Sequence, residues 1–258
     1  VNHRCELFHV NLKTQKLHLI DKSTFGDISG LDWSPDGKWI VYDYPLTDRL
    51  RAIKLCEIKS FKTYVITRPL LEDFQPSFDP EGKYIYFLSK RTYSPCPDNL
   101  QFEMGFPKGV KPYLILLDES LTSPFIPQPK VEDKKLKEAK KPEDVKNIKI
   151  DLTKIEERIL EFPVAEGDYA FIRGIPGKAL YLSRHLHSSA DEEEDPTTRG
   201  NLECYDFAMK KEETLIPKIS FYSLSGDSQW LCYYGAKRLR VVKAGEKPQD
   251  NDSSYRKG

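Results

Sequence analysis

Phe74-Gln-Pro-Ser-Phe78, Asp79-Pro-Glu-Gly82 and Lys83-Tyr-Ile-Tyr-Phe-Leu-Ser89, followed after a long excursion by Lys111-Pro-Tyr-Leu-Ile-Leu-Leu-Asp118, form the stretch that decides the fold. Its first three parts read as strand, tight turn, strand. Pro80 suits the first central position of a type I turn, and Gly82 supplies the left-handed residue that closes a three-residue hairpin loop with a bulge.

The pattern recurs. Upstream it is Ile28-Ser-Gly-Leu-Asp-Trp33, Ser34-Pro-Asp-Gly37 and Lys38-Trp-Ile-Val-Tyr42. Downstream, with weaker turns, it is Tyr169-Ala-Phe-Ile-Arg173 with Ile175-Pro-Gly-Lys178 and Ala179-Leu-Tyr-Leu-Ser183, then Phe221-Tyr-Ser-Leu224 with Ser225-Gly-Asp-Ser228 and Trp230-Leu-Cys-Tyr-Tyr234. Successive hairpins start roughly 45 to 52 residues apart, with one doubled gap, which is close to the period of propeller blades. The fold class expected is all-β: a β-propeller of four-stranded antiparallel blades, present here as a partial propeller.

Divided this way, the chain has a half blade at 1–22, blades at about 25–73, 74–165 and 168–219, and an incomplete blade at 220–244 lacking its final strand. The partial propeller runs over 1–248, and 249–258 read as a polar tail or linker. The second blade is interrupted by a Pro-rich loop containing Phe102 and Phe106, both expected to be buried. It is interrupted again by a Lys/Glu/Pro stretch at 126–148 with almost nothing to bury, expected to be a charged, mobile insertion.

Composition bounds the function. The 258 residues carry 40 Lys+Arg against 40 Asp+Glu, a formal net charge of zero. Such a balance builds no basic field for nucleic acid or an anionic membrane, so neither is an expected partner. Five scattered cysteines, Cys5, Cys56, Cys96, Cys204 and Cys232, form no C-x-x-C pair and fit a reducing, cytoplasmic setting. No apolar run is long enough to suggest a membrane span.

The resemblance to a known family rests on Phe74 to Arg91, continued by Gln101-Phe-Glu-Met-Gly-Phe-Pro107 and Tyr113-Leu-Ile-Leu-Leu117. This stretch resembles the second propeller of tricorn-type proteases. Ile150-Asp-Leu152 with Glu157-Arg158 and Phe162-Pro163 resembles that family's blade-closing segment, and Leu239 to Pro248 its exit toward the catalytic half. The Pro-Asp-Gly hairpin by itself is shared with TolB-like and prolyl-oligopeptidase propellers; the loop after Ser89 is the more specific signal.

What the resemblance implies is a six-bladed and a seven-bladed propeller ahead of a split catalytic region with an inserted PDZ domain, assembled as a hexamer. The implied role of this portion is noncatalytic: guiding or filtering oligopeptides toward an active site elsewhere in a serine peptidase. Its implied partners are the remaining blades and catalytic domains of the parent, peptide substrates in transit, and further copies of the chain. The alternative is a freestanding TolB/WD40-like scaffold for protein interaction.

Candidate chemistry among the residues is thin, and no catalytic, cofactor or metal residue is assigned. Gly226-Asp-Ser228 resembles a serine-protease nucleophile, but it falls in a hairpin turn and no base can be assigned to it. His185 and His187 share a strand face without a third ligand for zinc, and Asp191 to Asp195 lack the alternating spacing of a calcium loop. Trp33, Trp39, Tyr84, Tyr86, Phe87 and Trp230 recur on hairpin strands as packing between blades requires. In propellers the first strand of each blade lines the central channel, which gives its wall to Ile28 to Trp33, Phe74 to Phe78, Tyr169 to Arg173 and Ser220 to Leu224. Gly30 and Ser77 are the small residues expected to face it.

Overall fold

Four antiparallel four-stranded sheets follow one another along the chain, preceded by a two-stranded hairpin. The computed structural model describes residues 1–93, 95–97, 104–105, 107–126, 147–184, 199–248 and 255–256. The hairpin is β1 (Glu6–Asn11) with β2 (Lys16–Lys22), and the first full sheet is β3 (Ser29–Trp33), β4 (Trp39–Pro45), β5 (Arg51–Glu57) and β6 (Lys62–Val65). The second begins with β7 (Asp73–Phe78) and β8 (Tyr84–Ser89). After a small separate pair, β9 (Cys96–Pro97) and β10 (Met104–Gly105), it is completed by β11 (Lys111–Leu116) and β12 (Ile159–Glu161). The third is β13 (Asp168–Ile175), β14 (Lys178–Arg184), β15 (Gly200–Asp206) and β16 (Lys211–Ile219), and the fourth is β17 (Phe221–Leu224), β18 (Trp230–Gly235), β19 (Arg238–Lys243) and β20 (Tyr255–Arg256).

In every sheet the strands pair in sequence order, as the blades of a propeller do. The turn chemistry is as the hairpin residues require. Gly37 and Gly82 adopt φ of 67° and 70°, and their N–H groups donate to Ser34 and Asp79 carbonyls at 2.8 and 2.9 Å.

Side chains alternate between two neighbours, which explains why the second strands are apolar on both faces. Ile85 and Phe87 of β8 point toward the first blade, into a cluster with Val41, Ile53 and Leu55. Tyr86 and Leu88 point the other way and pack with Tyr169, Ala179 and Tyr181 of the third blade. Leu180 and Leu182 of β14 meet Tyr222, Leu231 and Tyr233 of the fourth. The core is therefore a series of slabs between sheets. Each fully buried Leu, Ile or Phe in them contributes about 1.5 to 3 kcal/mol of transfer free energy.

A carboxylate clasp recurs where the inner strands begin. Asp43 accepts from Ser29 at 2.8 Å and from Arg51 Nε at 3.0 Å. In the second blade, Asp73 accepts from Ser89 and from Arg91 Nη2 at 2.9 Å.

Two expectations change. The last sheet is not short of its fourth strand: Tyr255 and Arg256 pair with Arg240 and Leu239, inside the segment expected to be a tail. Two residues in a polar stretch carry too little alternation to announce a strand. Trp33 is not packed between blades but 50% exposed on the inner strand β3, whereas Tyr86 and Phe87 are fully buried; Trp230, on the last sheet, is 48% exposed. Alternation identifies two faces of a strand without saying whether a neighbour covers each. The greater part of the 126–148 insertion, together with Phe102, Phe106, His185, His187 and Asp191 to Asp195, lies outside the described residues.

Candidate functional site

The inner strands β3, β7, β13 and β17 converge on one cleft of about 1030 Å³. Asp32 and Trp33, Gln75 and Phe78, Phe171 and Arg173, and Phe221 to Leu224 line it, with the turn from Ser225 to Gln229 forming one rim. All four strands expected to line a channel thus contribute residues to this cleft.

Register sets corresponding positions of the inner strands at one height. Asp32 pairs with Val41, Ser77 with Tyr86, Arg173 with Leu180 and Ser223 with Cys232, so these four occupy the same place in successive hairpins. Just before it, the first three inner strands each carry a bulge, and the left-handed residue in each is Gly30 (φ 59°), Gln75 (φ 53°) and Phe171 (φ 51°). An extra residue at that point bends the strand and re-aims the residues that follow. β17 pairs with β18 without a shift.

Asp32 and Arg173 meet across the cleft although they belong to the first and third blades. Arg173 Nη1 lies 3.7 Å from the Asp32 carboxylate and donates to the Pro76 carbonyl of the blade between them at 3.4 Å. Asp32 also accepts the Phe78 N–H at 2.8 Å. Burial pushes the Asp32 carboxyl above its ordinary range, with the Arg173 charge and backbone N–H groups pulling against it. Beside the pair, the Phe171 and Phe221 rings stand edge to face with centroids 5.4 Å apart. The buried Tyr222 hydroxyl donates to the Leu180 carbonyl at 2.7 Å and lies 3.1 Å from that of Phe171, tying the fourth blade to the bulge of the third.

The groups facing the cleft are those of recognition: a guanidinium, a carboxylate, ring faces, and the carboxamides of Gln75 and Gln229. Ser228 is on the rim, but its role there is in the turn. Its N–H donates to the Ser225 carbonyl at 2.9 Å and its φ is 56°. Asp227 accepts the Ser225 hydroxyl and the Gln229 N–H, and these bonds hold its carboxyl below the usual range. Among the described residues there is no group of three or more His, Cys, Asp or Glu that could hold a metal ion.

Gly30 and Ser77 do not face the cleft as expected. A Cβ on Gly30 would sit 2.5 Å from Asp43 Oδ2 and 2.6 Å from Pro76 Cδ, so this residue is packed between blades. Ser77 is fully buried and donates to the Ile172 carbonyl at 2.8 Å. Sequence reasoning missed the Asp32–Arg173 pair, although aligning the hairpins on their turns would have placed both at one height.

Residues 1–245 match the tricorn protease second β-propeller domain. The putative tricorn-like protease C-terminal subunit of Sulfurisphaera tokodaii is 34% identical over 258 residues, covering 100% of this chain and 28% of the relative. The tricorn protease homolog of Saccharolobus solfataricus is 34% identical over 261 residues, covering 100% and 23%. The chain thus spans about a quarter of the length of these curated relatives. Among solved structures, the tricorn protease superposes with a TM-score of 0.79 at 23% identity, over 94% of this chain and 23% of that one. TolB from Acinetobacter baumannii superposes with a TM-score of 0.54 at 16% identity, over 94% and 47%. At these identities the structural likenesses establish the fold.

Proposed function

The chain belongs to the tricorn protease second β-propeller family, and from that membership we propose that it guides or filters oligopeptides toward the active site of a larger serine peptidase. The observation carrying this reading is the convergence of four inner strands on one cleft lined by Asp32, Arg173, Phe171 and Phe221. Such a wall can hold an extended peptide through its backbone and side chains, and a folded domain does not fit a cleft of this size. The peptide bond is cut elsewhere in the parent protein, and the propeller selects by size.

The parent's further blades are the nearest partners. Trp230, Leu239 and Val241 are exposed on the fourth sheet, an apolar face of the kind another blade covers. A homo-oligomer, a hexamer by family resemblance, and a cytoplasmic setting complete the proposal. The free thiols of Cys5, Cys56, Cys204 and Cys232 agree with that setting. No helix among the described residues is long and apolar enough to cross a membrane.

The test is to narrow the cleft where the fold tolerates it. Ser223 is exposed on β17, and a Cβ on Gly226 meets nothing within 4 Å. Ser223→Trp and Gly226→Trp in the full-length peptidase should slow hydrolysis of peptides of about ten residues, leaving a minimal fluorogenic substrate unaffected. Equal rates for long and short substrates in folded variants would favour the scaffold reading.

A further inference from the structure

We propose that Arg173 is the anchor of a carboxylate subsite in the cleft, taking an acidic side chain or the free C-terminus of a passing peptide. This rests on the reading of the cleft as a peptide route and adds the chemical preference of that route.

Among the described residues that line the cleft, Arg173 is the cation. Its Nη1 lies 3.7 Å from Asp32 and 3.4 Å from the Pro76 carbonyl, and both distances are long for charge-assisted bonds. The Arg173 side chain itself is 37% exposed. A guanidinium binds carboxylate best through two parallel N–H donors, and the Asp32 contact is not of that kind.

Asp32 is also a weak counter-ion. Its carboxylate already accepts the Phe78 N–H, and burial works against its charged form. An incoming carboxylate that reaches Arg173 from the cleft therefore exchanges a stretched, one-sided contact for a forked one. Phe171 and Phe221, on the same wall, present edges and faces for an apolar side chain next to the anchored group. The arrangement reads an anionic group beside an apolar one, as an extended peptide supplies.

The probes are four fluorescein-labelled nonapeptides of one neutral, aromatic-containing sequence: one with a free C-terminal carboxylate, one with a C-terminal amide, and two amides with Glu or Gln at the centre. Binding to the full-length protein is followed by fluorescence anisotropy at fixed ionic strength, since surface charge alone would follow salt. The wild type should prefer at least one carboxylate-bearing peptide over its neutral counterpart by about tenfold, the scale of one charge-assisted pair. A preference lost on C-terminal amidation identifies the terminus as the ligand, and one lost from Glu to Gln identifies the side chain.

Arg173→Gln should abolish the preference, and Arg173→Lys should keep part of it. Asp32→Asn keeps an acceptor for Phe78 and removes the competing charge, so it should tighten binding of the acidic peptide while leaving the neutral one unchanged. The same charge preference in Arg173→Gln, equal binding of all four peptides to the wild type, or no binding at all overturns the subsite. Equal binding leaves the peptide route standing, and insensitivity of long-peptide hydrolysis to Ser223→Trp removes the route without touching the charge result.

Discussion

The Ser77 hydroxyl donates to the Ile172 carbonyl at 2.8 Å, and both residues are out of solvent, so a single hydrogen bond fastens the inner strand of the second blade to that of the third. Ser77→Ala leaves that carbonyl buried without its donor, a loss of about 1 to 3 kcal/mol. Urea unfolding should show the drop, with Ser77→Thr recovering part of it if the added methyl is accommodated.

Gly30 allows the first and second blades to approach. At φ 59°, a non-glycine residue is strained, and its Cβ would meet Asp43 and Pro76 within 2.6 Å. Gly30→Ala should destabilise by about 2 to 4 kcal/mol, the sum of left-handed strain and overpacking. A thermal midpoint equal to wild type would refute the close approach.

Ser228 occupies the turn position held by Gly37 and Gly82 in earlier blades, at φ 56°. Ser228→Gly should raise stability by about 0.5 to 1 kcal/mol, the left-handed strain relieved less the extra freedom of the unfolded chain. Gly37→Ser is the reciprocal change: a Cβ there meets nothing within 4 Å, so its cost should be conformational alone. Opposite shifts in unfolding midpoint are expected. Peptidase activity of the full-length protein should survive Ser228→Gly.

Asp79 gives the fold a pH dependence. Burial raises its carboxyl from 3.8 to about 7, with the Lys83 N–H and the Tyr86 hydroxyl opposing and the Glu81 charge adding. Between about pH 4 and 7 the folded chain retains a proton that the unfolded chain has released, so this group's contribution to stability falls as pH rises through that window. Asp79→Asn removes the buried charge and keeps a carbonyl oxygen that can accept from the Tyr86 hydroxyl or the Lys83 N–H, the two donors to Asp79. The variant should match wild type near pH 4 and exceed it by a few kcal/mol, on the order of 2 to 4, at pH 8. Denaturant titrations at the two pH values give the comparison.

The hairpins were legible because Pro80 with Gly82 and Pro35 with Gly37 fix a local geometry that needs nothing from afar. The blades were legible because β8 is aromatic or aliphatic from Tyr84 to Leu88, a pattern that a sheet covered on both faces sustains. Ser77 and Gly30 were misplaced for one reason: small residues suit an open channel and a tight contact equally, and the choice depends on Asp43, Pro76 and Ile172, residues of other strands. The Asp32–Arg173 pair depends on how three blades lean together, and the exposure of Trp33 and Trp230 on which blades stand beside them. β20 is two residues long and has no periodicity to read.

Trp33 stands half-exposed in the cleft wall, Trp230 is half-exposed on the fourth sheet, and Trp39 is partly covered beside Tyr64. Intrinsic fluorescence of this chain is consequently a poor witness of global unfolding, because two of its three indoles are already half in water. The same placement makes Trp33 a built-in optical reporter: with Trp39 and Trp230 changed to Phe, its emission would follow the drying of the cleft as a guest enters, without any attached dye.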